Sequence, residues 1–172
     1  MWRFLLMAVL TGTLTTCPMC HVRCGNARIA EVFAITYARS PAFRELVGAL
    51  ESSDIYVYLE DGRCRKGTVR SCLQLMSATN GVRFLRVNID SRRPLMSVVG
   101  QVAHELRHAS EIAGRPEVVD AASLRALYRE IGFESCAPHL DESCWETWEA
   151  RATEQLVRQQ TGSFGSVAGL KP

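Results

Sequence analysis

The chain has 172 residues, a formal net charge of +2, 22% charged and 47% hydrophobic residues. That is the balance of one ordinary globular domain with a core, and it excludes a disordered chain. No dense basic tract is interleaved with aromatics, so nucleic acid is not an implied partner.

Met1-Trp2-Arg3 supplies one positive charge, and residues 4–14 follow as a mostly apolar run. The run is too short to span a bilayer and suits the core of a signal peptide. Gly25-Asn26-Ala27 places small residues at the first and third positions of a cleavage site. We therefore expect residues 1–27 to be a signal peptide, with export to the periplasm or medium. Leu14-Thr15-Thr16-Cys17 is a faint likeness of a lipoprotein site, which makes lipid anchoring through Cys17 the minority reading.

Removing residues 1–27 takes away Cys17, Cys20 and Cys24 and leaves Cys64, Cys72, Cys136 and Cys144. Four cysteines allow three pairings. The equal spacing within each couple makes Cys64 with Cys72 and Cys136 with Cys144 the simplest choice. The alternative use of the early cysteines is a structural zinc on Cys17, Cys20, Cys24 and a fourth ligand.

A helix is expected over 28–37. Ser40 then reads as an N-cap with Pro41 at the first helical position, opening a helix to about Leu50. Residues 55–59 are β-branched and aromatic and stop at Asp61-Gly62, which predicts a strand. A second strand is expected over 72–76. Asn80-Gly81 marks a turn into a third at 82–89, where Val82, Phe84 and Arg86 alternate with Leu85, Val87 and Ile89, a pattern that predicts a strand with one well-buried face.

Val98, Val102, Leu106, Ala109 and Ala113 repeat at helical spacing, with Pro94 suiting the start and Gly114 and Pro116 the end. Inside this helix lies His104-Glu105-Leu106-Arg107-His108, an HExxH motif. Four residues are just over one turn, so both imidazoles project from one face and can share a metal ion. Glu105 stands where a general base would take a proton from a metal-activated water. The plain alternative is a polar patch on an amphipathic helix.

Catalytic zinc takes three protein ligands and keeps a fourth position for water. The elongated metzincin form is excluded, because Glu111 and Gly114 stand where it would have Gly and His. The segment from Cys144 to Gln160 reads as a second helix, on which Glu146 and Glu149 both qualify as the third ligand; periodicity does not separate them. Glu111 is placed to hydrogen-bond a ligand imidazole, or else is a solvated charge. Asp120 reads as the N-cap of a helix over 121–131. His21 and His139 have no partner at ligand spacing. Trp145 and Trp148 are expected in the core, Tyr128 as packing and Arg107 on the surface. The Gly- and Ser-rich tail, 161–172, has little to bury.

On these residues the chain resembles small exported bacterial proteins with a gluzincin-like HExxH core, in the zincin metallopeptidase superfamily. Their pattern is similar to His104-Glu105-Leu106-x-His108-Ala109-x-Glu111-Ile112, followed by Asp120, Leu124, Leu127, Tyr128, Ile131 and Gly132, then Glu146-Thr147. The likeness extends upstream to Ser40-Pro41, Ser53-Asp54 and Arg86-Val87. It implies Glu146 as the third ligand, with Glu149 in reserve, and one Zn2+ per chain. It also implies a single α+β zincin-like domain over 28–160, with a small, mostly antiparallel sheet packed on the HExxH helix, one strand at the cleft rim and a second ligand-bearing helix. The expected activity is hydrolysis of a peptide or protein substrate with Glu105 as general base, and no transmembrane helix is expected in the mature chain. The alternatives are a non-catalytic zincin-scaffold binding protein of the cell envelope, and an envelope interaction domain in which the motif is accidental.

Overall fold

Strict alternation in two neighbouring strands sets the layers of this domain. In β2 (Ile55–Asp61) and β4 (Val82–Ile89), Ile55, Val57, Leu59, Leu85, Val87 and Ile89 are fully buried, whereas the residues between them, apart from Arg83, are only partly covered. A strand's side chains point alternately to opposite faces, so one face of the sheet packs on helices and the other does not. The computed structural model describes residues 19–64, 71–135 and 145–163. Cys136, Cys144 and His139 lie outside them, as does Cys17.

The remaining elements are β1 (Val22–Cys24), α1 (Ala27–Arg39), α2 (Pro41–Glu51), β3 (Ser71–Thr79), α3 (Leu95–Ala113), α4 (Ala121–Ile131), β5 (Phe133–Glu134), β6 (Trp145–Glu146) and α5 (Trp148–Ser163). The protein is a single α+β domain. Its main sheet has the order β1-β2-β4-β3 and is mixed. β1 and β2 are parallel, as are β2 and β4, and only the β3–β4 hairpin is antiparallel. The mostly antiparallel sheet expected from the resemblance is thus not what forms: α1 and α2 return the chain beside β1 in the same direction, as a helical crossover does. Asn80 and Gly81 turn the hairpin with φ of 50° and 74°, the positive values that match strand twist.

Ser40 caps α2 by accepting from the Phe43 N–H at 3.1 Å, with Pro41 in the first turn. Asp120 caps α4 in a reciprocal box with Ser123. α3 is the axis of the domain, packed on α1, α2, α5 and the sheet. Val98, Val102, Leu106, Ala109 and Ile112 are fully buried along it, the larger four each contributing about 1.5–3 kcal/mol by burial. Arg83, in the inward register of β4, ties its far end down. It makes a two-point pair with Asp54 at 2.7 and 2.8 Å and donates to the carbonyls of Ile112 and Arg115 at 2.9 and 2.7 Å.

Several boundaries differ from expectation. Residues 22–24, expected in the leader, pair with 57–59, and Val22 is fully buried. The folded unit therefore includes residues on the near side of the expected cleavage point, and Asn26 is the N-cap of α1. Cys24 is disulfide-bonded, which removes it as a zinc ligand, and Cys20 is a free, exposed thiol. Cys64 is bonded to Cys72. At the other end α5 continues to Ser163 with Thr161 buried, so the domain does not stop at Gln160. No described helix is long and apolar enough to cross a membrane.

Candidate metal centre

One helical turn of α3 brings His104 and His108 side by side, with ring centroids 4.8 Å apart. The third group comes from elsewhere in the chain. Glu146 Oε1 lies 3.2 Å from His104 Nε2 and 3.5 Å from His108 Nε2. The three residues offer ligand atoms that all lie within 4.8 Å of one another, a set that could hold a metal ion.

Glu146 is not on the helix where the sequence places it. It ends the two-residue strand β6, which pairs with β5 through Phe133 and Glu146, and α5 starts only at Trp148. The helical pattern after Cys144 is real but opens a turn late, because Glu146 and Thr147 are extended to reach α3. Gly132 allows this approach: a Cβ there would stand 2.8 Å from the carbonyl oxygens of both Glu146 and Tyr128. Glu149 is exposed on α5 and is not part of the set.

Each member of this set is held by a neighbour. His108 Nδ1 donates to Glu111 Oε2 at 2.8 Å. The other oxygen of Glu111 accepts from the Thr147 hydroxyl at 2.8 Å, and the Thr147 N–H donates to Glu146 Oε1 at 2.9 Å. Thr147 also caps α5 by accepting from the Ala150 N–H at 3.1 Å. Arg151 Nε lies 3.5 Å from Glu146 Oε2. Glu154, from α5, places Oε2 3.3 Å from His104 Nδ1. Sequence reasoning missed Glu154 and the roles of Thr147 and Arg151; the only signal was their lying on the segment with the third ligand.

Glu105 is 3% exposed. It is close enough for its charge to act on both imidazoles. Tyr128 packs its ring edge-on to His108 at 5.3 Å, with its hydroxyl buried and unpartnered. Burial and the charges of Glu111, Glu105 and Glu146 hold that phenol well above its ordinary pKa, so it remains a donor. Arg107, expected on the surface, is partly covered, with Nε 3.7 Å from Glu111 Oε1. Trp148 is 67% exposed and Trp145 half-buried, so the expected core pair does not form. The two sit on different elements and never share a helix face. Trp148 instead stacks on Phe133 at 4.6 Å, with the Arg151 guanidinium over both rings.

The charges balance around a cation. Burial opposes a charged His104, yet the adjacent carboxylates of Glu146 and Glu154 and the charge of Glu105 outweigh it and push its pKa up to about 10. His108 is raised to about 9: burial again opposes, and Glu111 and Glu146 prevail. For Glu146, burial is outweighed by the two imidazoles, which hold its carboxyl well below the usual carboxylate range. Without a metal the cluster thus keeps its imidazoles protonated, and a cation can take the place of those protons. Two imidazole nitrogens and a carboxylate oxygen, with buried carboxylates behind, fit a divalent ion of intermediate softness.

No family model matches the chain, and no curated protein or solved structure matches it.

Proposed function

We propose that the protein is an exported zinc-dependent peptidase of gluzincin type, with His104, His108 and Glu146 as ligands and Glu105 as general base. The observation that carries this reading is the convergence of Glu146 on the two imidazoles of the HExxH turn, with Glu105 buried beside them. Zinc in this set would supply Lewis acidity toward a peptide carbonyl and an attacking water. Glu105, buried beside the imidazoles, would be the group that accepts and returns a proton at this site, the role the motif gives its glutamate. Among the described residues three ligand groups converge, which supports an open fourth position and a catalytic rather than structural centre.

Export is supported by the apolar run at 4–14 and by the Cys64–Cys72 and Cys24 disulfides, which persist in oxidising compartments. Cleavage that keeps β1 in the fold would have to fall before Val22.

The test is elemental mass spectrometry of the oxidised protein, combined with hydrolysis of a peptide library. One zinc per chain is expected in the wild type and in Glu105→Gln, with turnover lost only in the variant. His108→Ala should lose both. No metal after zinc incubation would overturn the reading, and hydrolysis by Glu105→Gln would overturn the role of Glu105.

A further inference from the structure

One nitrogen of the cluster is left over. His104 Nε2 faces Glu146, as a ligand must, but its Nδ1 is buried without an aligned hydrogen-bond partner. A buried ring N–H with no acceptor is costly, so the group nearest it matters. That group is the carboxylate of Glu154, with Oε2 3.3 Å away. Its other oxygen accepts from Arg158 Nη1 at 3.2 Å, one turn further along α5.

Gly100 makes room for this pair. It is buried on α3, one turn before His104, and a Cβ there would stand 2.8 Å from Arg158 Cδ and 2.9 Å from Glu154 Oε1. Glycine is among the poorest helix formers, and a mid-helix glycine with no positive φ needs a packing reason. Here the space that a side chain would take is filled by the side chains of Glu154 and Arg158.

We propose that Glu154 is the positioning carboxylate of His104, accepting the Nδ1 proton and so fixing the tautomer that leaves Nε2 free to bind metal. Arg158 holds it and the space at Gly100 admits it. The inference rests on the metal-centre reading above. Each imidazole then has its own carboxylate: Glu111 from the same helix for His108, and Glu154 from α5 for His104. Such partners raise ligand basicity and lock ring orientation.

The test is Co2+ and Zn2+ affinity of the full chain, measured by competition with a chromophoric chelator, with circular dichroism as folding control. Wild type should bind one ion. Glu154→Ala should bind 10–100-fold more weakly and Glu154→Gln by a smaller factor. Gly100→Ala should follow Glu154→Ala, and the Co2+ absorption spectrum should shift in each. Imidazole nitrogen NMR of the Zn2+-loaded wild type should show His104 protonated at Nδ1, a readout independent of whether the variants fold. Wild-type binding with unchanged affinity in both Glu154 variants, or a His104 unprotonated at Nδ1, would overturn the role of Glu154 and leave the metal centre standing. No binding by wild type would overturn the metal centre, and this inference with it.

Discussion

Thr147 and Glu111 are joined by a hydrogen bond of 2.8 Å across 36 residues of sequence, and it binds the two halves of the candidate metal site together. Through it the strand that carries Glu146 is tied to the carboxylate that orients His108. Thr147→Val should therefore weaken metal binding by about 10–100-fold, the usual effect of removing an outer partner. Thr147→Ser should restore most of it. Chelator competition on the two variants measures this; equal affinities would show that the hydroxyl is only a helix cap.

Proton linkage should be visible in the metal-free protein. The folded pKa values of about 10 for His104 and about 9 for His108 lie above the ordinary 6.5, so the folded state binds more protons than the unfolded. The stabilisation is complete below about pH 6.5 and is lost as pH rises through 9 and 10. Denaturant unfolding of stripped protein should show this fall, whereas zinc-loaded protein should not. Calorimetry in buffers of different ionisation enthalpy should find about two protons released per zinc bound at neutral pH.

Gly132→Ala places a methyl against two backbone oxygens, neither of which is the end of a flexible side chain. Overpacking of this kind costs about 1–3 kcal/mol. Because one oxygen belongs to Glu146, metal affinity should fall as well. A loss of stability with unchanged affinity would mean that α4 moves and β6 does not.

Arg83→Leu should cost about 3 kcal/mol or more in denaturant unfolding. Asp54 is partly exposed and can rehydrate, so most of the loss comes from the carbonyls of Ile112, in the last turn of α3, and Arg115, just beyond it, left without a donor. Asp54→Asn should cost less, since those carbonyl bonds survive.

The Cys64–Cys72 disulfide closes a loop with a sequence separation of 8. Chain-entropy arguments give about 2–3 kcal/mol for such a loop. Cys64→Ser with Cys72→Ser should lower the unfolding midpoint accordingly, with metal affinity unchanged, because neither residue touches the site.

Local chemistry made much of this protein legible from sequence. Ser40, Asp120 and Asn80-Gly81 set caps and a turn through their own backbone preferences, and alternation over 82–89 predicted a strand with one buried face, which the packing assigned to Leu85, Val87 and Ile89. The His104–His108 pairing follows from helical geometry alone, because two residues four apart share a face in any α-helix. Other features depend on elements distant in sequence. The parallel pairing of β1 with β2 made a strand of residues that composition had assigned to a leader. Arg83 breaks the apolar pattern of its own face because the helix end it caps belongs to another element. Glu146 parts from Glu149 because β5 holds it extended across Gly132, and helical periodicity has no access to a strand pairing. The tertiary structure alone brought Glu154 to His104, since that contact depends on the packing of α5 on α3, two elements far apart in sequence.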